Sequence, residues 1–153
     1  MITPERFTRI ALSALNNTPE LQQCTPMSFI GALLNAAQLG LELNTPLGLA
    51  YLIPYKNKGQ IECQFQLGYK GMITLAYRNP DIQTIQAQTV YENDEFIFEY
   101  GLNPKLIHRP AVTDRGEPVY FYALFKTIKG GYGYSCMSRQ DMEAFAKKYS
   151  KAY

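Results

Sequence analysis

The reading turns on residues 47–78. They run Leu47-Gly48-Leu49-Ala50-Tyr51-Leu52-Ile53-Pro54-Tyr55-Lys56-Asn57-Lys58-Gly59, then Gln60 to Leu67, then Gly68-Tyr69-Lys70-Gly71-Met72-Ile73-Thr74-Leu75-Ala76-Tyr77-Arg78. Between Gln60 and Leu67 the residues alternate: Ile61, Cys63, Phe65 and Leu67 against Gln60, Glu62, Gln64 and Gln66. A period of two is the mark of a strand with one buried and one wet face. Residues 49–55 supply its antiparallel partner. Residues 56–59 make the turn, in which Asn57 and Gly59 tolerate positive φ.

After this hairpin the period changes to 3.6. Met72, Leu75 and Ala76 fall on one face of a short helix, which is expected to be buried, and Lys70, Ile73, Thr74, Tyr77 and Arg78 fall on the other. A basic and aromatic face suits a phosphate chain that carries stackable bases. The bland alternative is a solvated amphipathic helix. The small residues of Gly68-Tyr69-Lys70-Gly71 would leave the free N–H groups of the helix start open to an anion. Asn79-Pro80 stops the helix.

Working outward toward the start, Thr3 is an N-cap with Pro4 at the first helical position, and Phe7, Ile10, Ala11, Ala14 and Leu15 recur at helical spacing. A second helix starts at Thr25-Pro26. Its apolar stripe is Phe29, Ile30, Leu33, Leu34 and Ala37, and Gly40 is its stop. Both stripes read most simply as core. Toward the end, Ile82 to Tyr91 is a strand, Glu92-Asn93-Asp94 a turn, and Phe96, Phe98 and Tyr100 alternate in a second strand. Residues 101–118 read as a loop punctuated by Pro104, Pro110, Gly116 and Pro118. Residues 119–127 and 132–137 are strands joined at Gly130-Gly131. Ser138 then caps a helix in capping-box spacing with Asp141, its inner face formed by Met142, Phe145, Ala146 and Tyr149. The pattern is an α+β domain: N-terminal helices, a long β-hairpin, a short helix, an antiparallel β-meander and a C-terminal helix.

At 153 residues and 46% hydrophobic content, the chain holds enough apolar material for one globular core. It contains no apolar run long enough to span a bilayer and no charged-then-apolar leader pattern, so a cytoplasmic, membrane-free protein is expected. Cys24, Cys63 and Cys136 are odd in number and far apart, and read as buried thiols of a reducing compartment. The net charge of +2 says little, but its distribution says more. Residues 46–78 carry Lys56, Lys58, Lys70 and Arg78 against Glu62. Residues 126–153 carry Lys126, Lys129, Arg139, Lys147, Lys148 and Lys151 against Asp141 and Glu143. The stretch between is acidic, so the molecule is polar in charge, which suits a DNA groove or head-to-tail contact between copies.

Several chemistries are absent from the sequence. There is no Gly-x-x-x-x-Gly-Lys-[Ser/Thr] phosphate loop. One histidine and three scattered cysteines do not supply the clustered ligands of a zinc site. His108, beside Arg109 and Pro110 in the loop, has the chemistry of a catalytic base but reads more readily as structural or phosphate-adjacent. Glu92, Asp94 and Glu95 have the chemistry to hold magnesium or to act as acid and base, but carboxylates at a turn are usually solvated. An enzyme is not expected.

The run Leu47-Gly48-Leu49-Ala50-Tyr51-Leu52-Ile53-Pro54-Tyr55, with Gly68-Tyr69-Lys70-Gly71-Met72-Ile73 and Leu75-Ala76-Tyr77-Arg78, resembles the RecT family of phage single-strand annealing proteins. Asn93-Asp94-Glu95-Phe96, Tyr100-Gly101-Leu102, Leu106-Ile107-His108-Arg109-Pro110 and Lys129-Gly130-Gly131 agree in order and spacing. Thr25-Pro26-Met27-Ser28-Phe29 and Gln38-Leu39-Gly40-Leu41-Glu42 match the helical entry. The resemblance covers nearly the whole chain, read as one RecT-like DNA-annealing core domain over residues 1–153.

The resemblance implies an ATP-independent recombinase that coats single-stranded DNA as a ring or filament of identical subunits and promotes annealing to the complementary strand. It also points to a phage exonuclease and a host single-strand-binding protein as partners. No cofactor is expected; magnesium enters only as a dependence of the annealed complex, and the chain has no ligand motif for it. Such a protein must grip phosphates without covering Watson–Crick edges, so its affinity should come from Lys and Arg. The expected DNA contacts are Lys70 and Arg78 to phosphate, Tyr77 by stacking or to sugar, and Lys56 and Lys58 at the hairpin tip. Lys126, Lys129 and Arg139 form a second wall. Gln64 and Gln66 are further candidates. Family members continue past residue 153 with a helical segment rich in Lys and Arg, so DNA affinity and filament assembly are expected to be weaker here. The alternative function is a folded, oligomerising or partner-binding fragment without annealing activity.

Overall fold

The computed structural model describes residues 3–150 and resolves into two compact units, one ending at Asn79 and one beginning at Pro80. Lys151 lies outside the described residues.

In the first unit, α1 (Pro4–Asn17) opens on Thr3, whose side chain accepts a hydrogen bond from the Arg6 N–H. This satisfies one of the donors a helix start leaves unpaired. A 3-10 turn, Pro19–Gln23, follows without a signal in the sequence and buries Leu21. α2 (Pro26–Leu39) ends at Gly40, whose left-handed φ of 60° suits a residue without a Cβ. Its buried residues are Ala32, Leu33 and Ala36, with Phe29 packed against them. Ile30 and Leu34, expected in the core, are instead about half exposed at 47% and 49%. Small alanines turn inward because they let α2 lie close to the hairpin, and this rotates the larger residues out.

The hairpin pairs β1 (Ala50–Asn57) with β2 (Gln60–Leu67) in unbroken antiparallel register from Ala50↔Leu67 to Asn57↔Gln60. Only Lys58 and Gly59 form the loop, and both take positive φ, 45° and 87°. Positive φ at both central residues is what a tight two-residue hairpin turn requires. Asn57, expected to take that role, is a strand residue whose side chain donates to Glu62. Ala50, Leu52 and Cys63 face inward and join Leu21, Leu33, Leu41 and Leu43 in one buried cluster. Asn44 stands in for a missing strand. Its side chain accepts from the Leu52 N–H at 2.7 Å and donates to the Leu52 carbonyl and the Thr18 hydroxyl, and its own φ of 52° aims it there.

α3 (Tyr69–Ala76) packs through its glycines. Gly68 and Gly71 lie against the backbone of Gly48 and Leu49 so closely that a Cβ at either would collide with a carbonyl oxygen. The inward face is therefore Gly68, Gly71 and Leu75. Met72, expected to be buried, is 53% exposed. These glycines serve contact with the hairpin, and the Gly68 N–H itself donates to the Leu49 carbonyl at 2.9 Å.

The second unit is built on an antiparallel sheet of order β3–β6–β7, made of Ile82–Tyr91, Pro118–Thr127 and Tyr132–Ser138. Between β3 and β6 the chain makes a separate hairpin, β4 (Glu95–Glu99) with β5 (Lys105–Arg109). β5 lies within the stretch read as loop. Pro104 and Pro110 sit just outside its ends, where they cost no ladder hydrogen bond. α4 (Arg139–Tyr149) is capped by Ser138, which accepts from the Asp141 N–H. No residue of α4 is fully buried. Phe145 and Tyr149, expected on its inner face, are 52% and 62% exposed. The α+β class expected from the periods is what the chain adopts.

Candidate nucleic-acid interface

Eight side chains were expected on DNA, and the fold gives them different circumstances. In the first unit, Lys70 and Tyr77 are exposed on and just beyond α3, while Lys56 and Lys58 stand at the tip of the hairpin. The hairpin separates them. Its strands of eight residues span about 26 Å at roughly 3.3 Å per residue. The unit thus carries cations at both ends of an extended β-ribbon. Among the described residues, no carboxylate lies within ion-pair distance of Lys56, Lys58 or Lys70. The chain of Lys70 lies over Gly48, with its Cδ and the Tyr51 hydroxyl both within 4 Å of where a Gly48 Cβ would sit. Lys70 and Tyr51 are therefore neighbours.

Arg78 has a different position. Its guanidinium donates to the Leu39 carbonyl and, at 3.1 Å, to the Gly40 carbonyl. These are the unpaired acceptors at the C-terminal end of α2, where the helix dipole also favours a cation. Arg78 ties α3 to α2 while staying at the surface.

In the second unit, Lys126 and Lys129 sit around the β6–β7 turn, and Arg139 lies beyond the far end of β7. Lys129 pairs with Asp81 at 3.6 Å, and Arg139 with Glu117 at 3.3 Å and Glu143 at 3.2 Å. Lys126 has no such partner among the described residues. It borders a cleft of about 410 Å³ lined by Pro104, Leu106, Phe125, Tyr132 and Tyr134. This unit therefore sets Lys126, which has no ion-pair partner among the described residues, beside exposed rings.

In the acidic turn Glu92 and Glu95 are exposed, as expected, but Asp94 is not. Asp94 has no side-chain exposure and accepts from five groups. These are Arg115 Nε at 3.0 Å and Nη2 at 2.6 Å, the Ala111 and Tyr91 N–H groups at 2.9 and 3.0 Å, and His108 Nε2 at 2.9 Å. Arg115 above all holds its carboxyl well below the usual range, against the opposing effect of burial. His108 bridges onward from Nδ1 to the Tyr122 hydroxyl at 3.1 Å. Both of its ring nitrogens are thus engaged within the fold, which favours the structural reading. Glu95 turns away to Arg109, and Glu92 accepts from the Glu117 N–H. Each carboxylate has its own partner, and among the described residues no three His, Cys, Asp or Glu side chains are grouped to hold a metal ion.

Sequence reasoning missed the outer face of the hairpin. Tyr51, Ile53 and Tyr55 point outward from β1 at 39%, 38% and 46% exposure, opposite Gln66, Gln64 and Glu62. The signal was present. Residues 50–55 alternate in register with β2, so a buried Leu52 entails exposed Tyr51 and Ile53, but uniform hydrophobicity hid the alternation.

The chain belongs to the RecT family, whose sequence pattern it matches over residues 5–153. It is 41% identical to Protein RecT of Escherichia coli (strain K12), in an alignment covering 99% of this chain and 57% of that protein. It is also 30% identical to the uncharacterized protein YqaK of Bacillus subtilis (strain 168), over 96% of this chain and 50% of that protein. The chain thus spans about half the length of the curated relatives it matches. Among the described residues, no helix is long and apolar enough to cross a membrane.

Proposed function

We propose that this chain is the DNA-handling core of an ATP-independent annealing protein. Its two compact units act together, as an oligomer, on single-stranded DNA and its complement. The observation that carries this reading is the set of uncommitted lysines, Lys56, Lys58, Lys70 and Lys126, beside exposed aromatic rings. Unpaired cations are free to replace the counterions of a phosphate chain, which is where sequence-independent affinity arises. Tyr77 adds a ring next to the Lys70 face. Arg78, Lys129 and Arg139 are proposed as secondary contacts, since each must share or surrender a partner within the chain. The annealing step needs no resident metal or nucleotide. A phage exonuclease and a single-strand-binding protein are its proposed partners in the cell.

A second reading, a fragment that assembles without annealing, draws on α2. Met27, Ile30 and Leu34 form an exposed apolar stripe there, and patches of this kind mark contact with other protein. Mixing two complementary labelled oligonucleotides with the chain, without ATP, separates the two. Accelerated duplex formation supports the annealing core. Concentration-dependent assembly with no acceleration supports the fragment.

A further inference from the structure

We propose that the outward face of the β1–β2 hairpin is a platform for nucleobases, with Tyr51 and Tyr55 as the stacking positions. This rests on the single-strand reading above and adds to it the element that meets the bases.

A sheet face open to water normally carries polar side chains, yet β1 presents Tyr51, Ile53 and Tyr55, each more than a third exposed. Gln66 and Gln64 stand opposite the first two in register. Their amides both donate and accept, so they border the rings without adding charge. Glu62 is the sole carboxylate on this face and is engaged by the Asn57 side chain at 3.1 Å. The face is thus flat, aromatic and almost neutral.

Its surroundings decide what covers it. Lys70 lies beside Tyr51 at one end, and Lys58 stands in the turn beyond Tyr55 at the other, neither paired with a carboxylate among the described residues. An apolar protein partner has no use for unpaired cations at both ends of the patch. A polyanion that carries rings does, and every base offers a face for stacking whatever its sequence. Four residues of strand put Tyr51 and Tyr55 about 13 Å apart, which leaves room for a separate base on each ring. Stacking on base faces also leaves the Watson–Crick edges exposed, which annealing demands.

The test measures binding of the full chain to a labelled thymidine oligonucleotide and to an abasic oligonucleotide of equal length, each across a range of salt. The variants are Tyr51→Leu, Tyr55→Leu, their double, and the two Tyr→Phe changes. Each Leu variant should weaken binding to the thymidine strand about tenfold and leave the salt slope unaltered. The Phe variants should bind normally, and the double variant should bind the abasic strand as well as the native chain does. Retained far-UV circular dichroism in the Leu variants and normal binding by the Phe variants exclude misfolding. Native binding that the Leu variants leave intact would overturn the platform while sparing the single-strand reading. Self-association lost in Tyr55→Leu with DNA binding unchanged would overturn it too, assigning the face to a second copy. No binding by the native chain at any salt would overturn both.

Discussion

Upstream of Asn79, eleven apolar side chains meet in a single buried cluster, and the chief part-buried polar contacts there belong to two neutral residues, Asn44 and Ser28. Downstream of Pro80, only Val90 and Tyr122 are comparably buried among the described residues. That unit relies instead on rings and ions. Phe96 lies within 6 Å of Phe98, Tyr120, Tyr122 and His108, Tyr100 stacks on Tyr134, and Arg115 lies 4.2 Å above the Tyr91 ring. At the centre sits Asp94. The first unit holds by burial that follows a period in the sequence; the second holds by a charged network that follows none. The two should therefore fail under different insults.

Asp94→Asn should have the largest effect. It leaves the partly exposed Arg115 and the buried His108 without the buried anion they share, and removing one member of a buried pair costs far more than the pair itself contributes. Hydrogen exchange read by mass spectrometry should show the second unit losing protection while residues 26–67 keep theirs. Acid supplies a gentler version. Because the folded state holds Asp94 below its ordinary value of 3.8, its stabilisation is complete above that value and fades as pH falls from about 4 downward. The second unit should thus unfold in acid before the first, and Asp94→Asn should abolish that acid dependence. Loss of protection in both units together would erase the distinction.

Leu52→Ala ranks next. It empties a fully buried position, for which about 2–5 kcal/mol is expected. Ile53→Ala, one residue along on the outer face, should cost under about 0.5 kcal/mol if that face contacts only solvent in the free protein. Chemical denaturation of both variants reads the difference. Equal costs would mean that the outer face is covered.

Smaller still is Arg78→Ala. Removing the donor from the last carbonyls of α2 should lower stability by about 1 kcal/mol. Its effect on the salt slope of DNA binding should be smaller than that of Lys70→Ala.

What the sequence disclosed follows the same division. β2 was legible to the residue because side-chain alternation reports burial directly, and β3 because its β-branched residues favour a strand. The caps at Thr3 and Ser138 were legible because a short hydroxyl side chain before a helical period has few other uses. The inward faces of α2 and α3 were misjudged in part, at Ile30, Leu34 and Met72, for one reason. Periodicity finds the larger apolar residues, whereas close packing in α2 and α3 selected Ala32, Ala36 and Gly71. β5 was hidden by prolines that lie just outside it. The Asp94 network could not have been read at all, because positions 91, 94, 108, 111 and 115 converge only once β4 pairs with β5. For the interface, the lysines were legible, but which cations were already engaged was not. Arg78 and Lys70 look alike in sequence and differ only in the carbonyls that Arg78 reaches.

That last difference gives the most direct test of the central claim, that uncommitted lysines bind the phosphate chain. The measurement is oligonucleotide affinity against salt concentration for the native chain, Lys70→Ala and Arg139→Ala. The slope of log affinity against log salt should fall by about 0.7 for Lys70→Ala and by clearly less for Arg139→Ala, whose guanidinium is shared with Glu117 and Glu143. A native slope in Lys70→Ala, with the protein folded, would contradict the claim.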